Sequence, residues 1–214
     1  MSKEHFLKVC CISSPEEALL ALEHGADFLG LVGPMPSGPG ILSLEEISQI
    51  VRAIPAEAKT VLLTSSSDVS AIIADYNKVQ TKAIQLVREL SVSELAAVKA
   101  ALPDVILLAV VHVEDASAIE RAKSYEQSAD YILLDSGKPT AGILGGTGNT
   151  HDWSVSKRIV EEVKIPVLLA GGLNAENVKD ALDGVDPHGV DLCSGVRTNG
   201  HLDPDKLRDF VAQL

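Results

Sequence analysis

Eight short apolar runs, each followed by a stretch of helical periodicity, leave this chain few folds to choose from. The runs are Leu7 to Ile12, Phe28 to Gly33, Thr60 to Thr64, Ala83 to Val87, Val105 to Val111, Tyr131 to Asp135, Val167 to Ala170 and Val190 to Cys193. They are apolar throughout instead of alternating, as expected of parallel strands covered on both faces. Helical patterns intervene at Val69 to Tyr76, Ser93 to Ala101, Asp115 to Lys123, Trp153 to Val163, Asn177 to Leu182 and Pro204 to Ala212. Two more helices are marked by their starts: Ser14-Pro15-Glu16-Glu17 and Ser43-Leu44-Glu45-Glu46 each place an N-cap Ser three residues before a Glu, the spacing of a capping box. The first ends near His24-Gly25 and the second near Ala53. Strand then helix, eight times in 214 residues, predicts an α/β fold, a single (β/α)8 TIM barrel domain over 1–214, compact beside the roughly 250 residues that are typical. A doubly wound dinucleotide fold would need a Gly-rich turn straight after strand one, where this chain reads Cys10-Cys11-Ile12-Ser13-Ser14-Pro15. Three strands carry a similar lead-in, Gly25-Ala26-Asp27, Ser128-Ala129-Asp130 and Gly189-Val190-Asp191, which reads as a weak echo of one βα unit.

Composition narrows the partners. Hydrophobic residues make up 46% of the chain, enough for one substantial core. A net charge of −12 without any basic run argues against nucleic acid and anionic membranes. The apolar runs are too short to span a bilayer. The opening MSKEHFLKVCC places Glu and His where a signal peptide needs an apolar core, so a cytoplasmic location is expected. Cys10, Cys11 and Cys193 are odd in number and lack CxxC spacing, so neither a disulfide framework nor a zinc site is expected. Strand alternation would put Cys10 and Cys11 on opposite faces, allowing only one of them to face a site.

In a barrel of this kind the chemistry lies at the C-terminal ends of the strands. There the sequence offers Cys10 or Cys11 on strand one, Gln85 on strand four, His112 on strand five and Asp135 on strand six. Strands seven and eight end in Ala170-Gly171-Gly172-Leu173 and Ser194-Gly195-Val196. A Gly-rich turn feeding a helix presents unpaired N–H groups and the positive dipole end to one point, so two such turns side by side would make a phosphate cup. Singly, each also serves as an ordinary tight turn. A Cys thiolate and a carboxylic acid across the mouth are suited to act as base and acid in proton transfer. Cys10 is equally suited to be a small core residue, Asp135 to bond its own loop, and His112 to cap a helix or sit in solvent. The long loop Lys138 to His151, with Gly145-Gly146-Thr147-Gly148, has the length of a lid or binding loop. Asp152 reads as a helix N-cap and Trp153 as a packing anchor.

Taken in order along the whole chain, these phrases resemble the phosphoribosylanthranilate isomerase family of tryptophan biosynthesis. The resemblance rests on Lys8-Val9-Cys10, Gly25-Ala26-Asp27 with Gly30, Leu133-Leu134-Asp135, Gly145 to Gly148 through Asp152-Trp153, Leu169 to Leu173 with Asn177-Val178, and Val190-Asp191 with Ser194-Gly195-Val196. It implies a (β/α)8 barrel that carries out an Amadori rearrangement of an N-linked phosphoribosyl aldose to a 1-deoxyketose. Cys10 would be the general base at sugar C2 and Asp135 the general acid that opens the ring. Gly171, Gly172, Ser194 and Gly195 would hold the phosphate, with Gln85 and Gly146 as further substrate contacts; Arg197 or Arg88, neither part of the family pattern, is the candidate partner for a substrate carboxylate. It also implies a phosphorylated small-molecule substrate, no metal or organic cofactor, and a monomer or homodimer.

The chain departs from the family pattern in a patterned way. Cys11 stands where the family has Gly. Ser37-Gly38-Pro39 replaces the Ser-x-Arg whose Arg pairs with the anthranilate carboxylate. Strand four ends Gln85-Leu86-Val87-Arg88 in place of Gln-Leu-His-Gly, Ser194-Gly195-Val196-Arg197 reverses the charge of SGVE, and Gly200-His201-Leu202-Asp203 lacks the Lys of Gly-x-Lys-Asp. The acid–base pair and phosphate end are therefore kept while the carboxylate end is altered. Two alternatives stay open: a divergent enzyme for another phosphorylated sugar or ribosyl compound, and a non-catalytic phosphate-ligand binding protein.

Overall fold

A computed structural model describes residues 5–136 and 151–214. Its strands are β1 (Phe6–Val9), β2 (Phe28–Val32), β3 (Lys59–Thr64), β4 (Ala83–Leu86), β5 (Ile106–His112), β6 (Tyr131–Asp135), β7 (Val167–Leu169) and β8 (Gly189–Leu192). Each pairs in parallel with the next, and β8 returns to pair with β1, so the sheet closes into a barrel. The outer helices are α1 (Pro15–Glu23), α2 (Leu44–Ala53), α3 (Val69–Val79), α4 (Val92–Ala101), α5 (Ser117–Tyr125), α6 (Trp153–Glu162), α7 (Val178–Val185) and α8 (Pro204–Val211). No helix among the described residues is long and apolar enough to cross a membrane.

Closure explains why the strand sequences do not alternate. One set of strand residues, including Val61, Leu63, Leu108, Val110, Leu133 and Leu168, fills the barrel interior. The intervening set, including Leu29, Leu31, Leu62, Ile84, Ile132 and Leu134, packs outward against the helices. Both sets are removed from water, so both must be apolar. At the strand starts, Phe6 and Phe28 stack edge-on with centroids 4.8 Å apart, Tyr131 lies 5.6 Å from Phe28, and Lys59 Nζ lies 5.9 Å from the Phe28 centroid. These rings floor the barrel at the end opposite the strand C-termini.

One exception to the apolar interior is an ion pair. Lys8 is fully buried, and its Nζ donates to Asp191 Oδ1 at 2.8 Å. The two residues are register partners across the β1–β8 seam, so the pair ties the first strand to the last. Burial works against both charges and pushes the Asp191 carboxyl up despite its partner. On Lys8 the Asp191 charge, with smaller help from Cys10 and Cys11, overcomes desolvation and raises the ammonium above its usual range. An ammonium held 2.8 Å from the carboxyl favours its carboxylate form.

Two of the three repeated lead-ins do the same work. Asp27 Oδ2 accepts from Leu7 N on the preceding strand, and Asp130 Oδ2 accepts from Leu107 N, each at 2.8 Å. The third does not follow: Gly189-Val190-Asp191 lies inside β8, where Asp191 turns inward to Lys8. The capping box expected at Ser14 is only half formed. Ser14 Oγ accepts from Glu17 N at 3.3 Å, but the Glu17 carboxylate turns to Ser13 N and to distant partners. At Ser43–Glu46, and again at Ser91–Glu94, both halves of the box are present. A short antiparallel ribbon, β9 (Arg197–Thr198) and β10 (His201–Leu202), precedes α8. Its two-residue turn is Asn199-Gly200 with φ of 51° and 84°, an Asn-Gly hairpin signal that sequence reading passed over.

Replacing Lys8 by Met would strand the buried Asp191, and such a loss typically costs about 3–5 kcal/mol. The expected outcome is a correspondingly lower urea midpoint, with most of the stability recovered in the paired variant K8M/D191L.

Candidate active site

Inward alternation continues past the strand ends and gathers the expected residues at one mouth. On β1 the inner face carries Lys8 and then Cys10; on β4 it carries Gln85, on β5 His112 and on β6 Asp135. Gly30 on β2 lies beside Cys10, and a β-carbon there would come within 3.0 Å of the Cys10 sulfur. Glycine at 30 thus makes room for that thiol. Cys10 is 7% exposed, and Lys8 lies two residues below it on the inner face.

Asp135 is half-buried, with Oδ1 accepting from Ser136 N at 2.7 Å. Desolvation pushes its carboxyl above the usual range, outweighing the Ser136 N–H, which pulls it down. A carboxyl held in its acid form to higher pH is suited to donate a proton.

The two Gly turns meet. Gly171 and Gly172 have φ of 90° and 64°, the left-handed region that favours glycine. A β-carbon on Gly195 would stand 2.1 Å from the Leu173 carbonyl oxygen, so the turn after β8 is packed directly on the turn after β7. A side chain on Gly171 would run into Ser136, which brings the same turn against the residue after Asp135. Asn177 Nδ2 donates to Gly172 O at 2.9 Å, and Asn174 N donates to Asn177 Oδ1 at 2.9 Å. The expectation of two turn-to-helix units needs correction in the second case: after β8 comes a single 3₁₀ turn, Ser194–Val196, and then the β9–β10 ribbon.

The opposite-face expectation for the two cysteines is also overturned. β1 ends at Val9, and Cys11 adopts φ of 62°, which breaks strand alternation. Both Cys10 and Cys11 pack in the inner cluster. The Cys193 and Cys11 sulfurs lie 2.6 Å apart, and all three cysteines are free thiols. Hydrogen bonding with Cys10 and Cys193, with burial added, pushes Cys11 far above the usual thiol range.

Arg197 is placed differently from a ligand contact. Its Nη1 donates to Glu17 Oε1 at 3.1 Å and to Gly200 O at 2.9 Å; its Nη2 donates to the carbonyls of Cys10 at 3.1 Å and Cys11 at 2.5 Å. Both Nη groups are thus engaged inside the protein, clamping the backbone that carries Cys10. Glu17 is fixed in turn by Leu202 N at 2.9 Å and Ser13 N at 3.0 Å. Burial raises the Glu17 carboxyl, but the Leu202 N–H, Arg197 and the Ser13 N–H outweigh it and hold it below its ordinary 4.5. Sequence reading missed Glu17, whose signal was hidden because its spacing from Ser14 already had a local explanation.

Gln85 is buried with Oε1 unpaired among the described residues. Asp152 caps α6 through Ser154 N at 2.9 Å, and Trp153 packs on the outer core, as expected of both. The proposed contact Gly146 and its Gly145-Gly146-Thr147-Gly148 loop lie outside the described residues.

Comparison with known proteins decides the family. The profile of the N-(5'-phosphoribosyl)anthranilate isomerase family matches residues 7–213. The chain belongs to that family. An N-(5'-phosphoribosyl)anthranilate isomerase of Methanothrix thermoacetophila is 36% identical over 208 residues, covering 97% of each chain. The crystal structure of phosphoribosylanthranilate isomerase from Thermotoga maritima superposes with a TM-score of 0.84 at 30% identity, covering 98% of each chain. A further isomerase structure, 28% identical with a TM-score of 0.81 over 98% of this chain and 97% of that one, is a complex with reduced 1-(o-carboxyphenylamino)-1-deoxyribulose 5-phosphate. This chain is an isomerase of the phosphoribosylanthranilate isomerase type, an aldose–ketose isomerase.

Within that family its departures now have positions. Pro39 is exposed on the loop after β2, while the neighbouring Gly40, at φ of 67°, lies against Cys11. Arg197 and Leu202, where the family has Glu and Lys, are register partners across β9 and β10.

Arg197→Leu should destabilise by about 3 kcal/mol by leaving Glu17 without its buried cation. It should also lower turnover by freeing the Cys10 backbone. Because the Glu17 carboxyl is depressed when folded, its contribution is complete above 4.5 and is lost as pH falls through the folded value. Urea midpoints of wild type and Glu17→Gln should therefore converge on acidification.

Proposed function

We propose that this protein isomerises N-(5'-phosphoribosyl)anthranilate to the corresponding 1-deoxyribulose phosphate, with Asp135 as acid and Cys10 as base. The observation that carries the reading is their placement together on inner faces at the C-terminal mouth, with the Asp135 carboxyl raised by burial. Asp135 donates its proton to the furanose ring oxygen, the C1–O bond breaks, and the nitrogen lone pair forms a protonated imine at C1. Cys10 then removes the proton from C2, and the electron pair moves toward C1 and neutralises the imine. The resulting enol settles to the ketone. Gly171, Gly172, Ser194 and Gly195 hold the 5'-phosphate on the two abutting turns, which the Asn177 bonds keep in shape. Gln85 and Gly146 are assigned as further substrate contacts. Arg197 acts through the Cys10 backbone and is a positioning residue.

The anthranilate carboxylate needs a cation that Pro39 cannot supply and that Arg197 has committed elsewhere. Arg88, exposed after β4 with only Nε anchored on Ser65 O at 3.2 Å among the described residues, is assigned that role. The second reading, a related phosphoribosyl substrate without that carboxylate, is favoured by the same Pro39. The whole of 1–214 is taken as one catalytic domain, cytoplasmic, monomeric or homodimeric, and without a nucleic-acid partner; its charge of −12 supports the last point.

Expression in a tryptophan auxotroph lacking this isomerase should restore growth, and purified protein should consume phosphoribosylanthranilate. Well-expressed protein that does neither overturns the first reading. Cys10→Ala and Asp135→Asn should each reduce turnover roughly 10²–10⁴-fold. Turnover should fall as pH rises through the raised value of Asp135, since the acid form is then lost. Arg88→Gln should raise KM for phosphoribosylanthranilate; an unchanged KM together with weak turnover favours the second reading.

A further inference from the structure

The proton-transfer scheme leaves one buried imidazole at the mouth unused. His112 is 1% exposed and follows Leu108 and Val110 on the inner face of β5. Its register partner on β6 is Asp135. Its Nε2 lies 3.2 Å from the Val87 carbonyl oxygen. A carbonyl only accepts, so Nε2 carries the proton and, in the neutral ring, Nδ1 is a bare acceptor. That Nδ1 is buried with no hydrogen-bond partner among the described residues. A packed barrel does not ordinarily leave such an atom unmet.

The anchor is informative in itself. Val87 is the position at which the family pattern of strand four has His, and the ring of His112 rests on its carbonyl from the neighbouring strand. An imidazole missing from one strand end is thus supplied at almost the same place by the next, at the strand position paired with Asp135.

Resting on the isomerase reading above, we propose that His112 Nδ1 accepts a hydrogen bond from the sugar hydroxyl that forms when Asp135 protonates the ring oxygen. The hydroxyl does not exist in the closed furanose, so the contact strengthens as the ring opens and serves the chemical step more than binding. No proton moves to His112: the ring oxygen keeps the proton from Asp135 and shares it with Nδ1.

Two variants separate the two nitrogens. His112→Gln can place its amide N–H where Nε2–H bonds Val87 but offers nothing at Nδ1. His112→Asn can place its amide oxygen at Nδ1 but cannot reach Val87. With phosphoribosylanthranilate as substrate, His112→Gln is expected to keep the wild-type melting temperature and to lose about 10-fold in kcat, with KM changed less than about twofold. His112→Asn is expected to melt lower and to keep kcat within about threefold of wild type. The proposal is overturned if His112→Gln retains wild-type kcat, or if His112→Asn loses kcat as far as His112→Gln does. Binding of reduced 1-(o-carboxyphenylamino)-1-deoxyribulose 5-phosphate, whose sugar is already open, should weaken in His112→Gln and not in His112→Asn; equal affinity for both counts against it. Wild-type protein that neither turns over the substrate nor binds this compound removes the isomerase reading and this proposal with it. An active wild type with an unaffected His112→Gln removes only the assignment of His112.

Discussion

Everything at the mouth of this barrel hangs on the Lys8–Asp191 pair. It sits where β1 meets β8, and a closed sheet has only one such seam. A buried ammonium and a buried carboxylate are each costly alone, and their 2.8 Å contact makes any other register of the two strands far worse than this one. The next inner residue above Lys8 is Cys10, and the chain leaving Asp191 reaches Cys193 and the Ser194-Gly195 turn within a few residues. Fixing the seam therefore fixes Cys10 and the Ser194-Gly195 turn together. The same ammonium contributes positive potential beneath Cys10 and Asp135.

A second charged contact holds the outer edge of the site. Arg197 reaches from β9 to Glu17 on α1 and to the two carbonyls after β1. Seen this way, two departures from the family pattern are one change. Arg at 197 and Leu at 202 face each other across the ribbon, so the cation has crossed from one strand of it to the other. Its partner became Glu17, whose own backbone donor comes from Leu202. Cys11, in place of Gly at φ of 62°, accepts some backbone strain and gains contact with Cys193 and the Arg197 clamp. The departures near Cys10 thus form one rearranged cluster around it.

Much of the architecture was legible because local rules and tertiary demands agree. Ser43 and Asp152 cap the helices their spacing announces, and β6 and α2 run between the residues that periodicity gives. Local rules failed where a side chain had a stronger distant partner. Glu17 has capping-box spacing, yet its carboxylate goes to Arg197, far away in sequence. Cys11 should alternate with Cys10, yet its left-handed backbone turns it inward toward Cys193. Arg197 reads as a free cation at the mouth, and only its partners show that it is a clamp. His112 reads as an ordinary polar residue at a strand end, because an unmet nitrogen has no signature in sequence.

The sequence by itself determined the barrel, the order of its eight units, the strand ends that carry Cys10 and Asp135, and the two Gly turns. These follow from period, from burial on both faces of a parallel sheet, and from backbone conformations that few residues adopt. The tertiary structure alone decided which charges are spoken for. Lys8 belongs to Asp191 and Arg197 to Glu17, while His112 keeps one nitrogen open among the described residues. The reason is physical: periodicity is set by neighbours along the chain, whereas desolvation and pairing are set by neighbours in space.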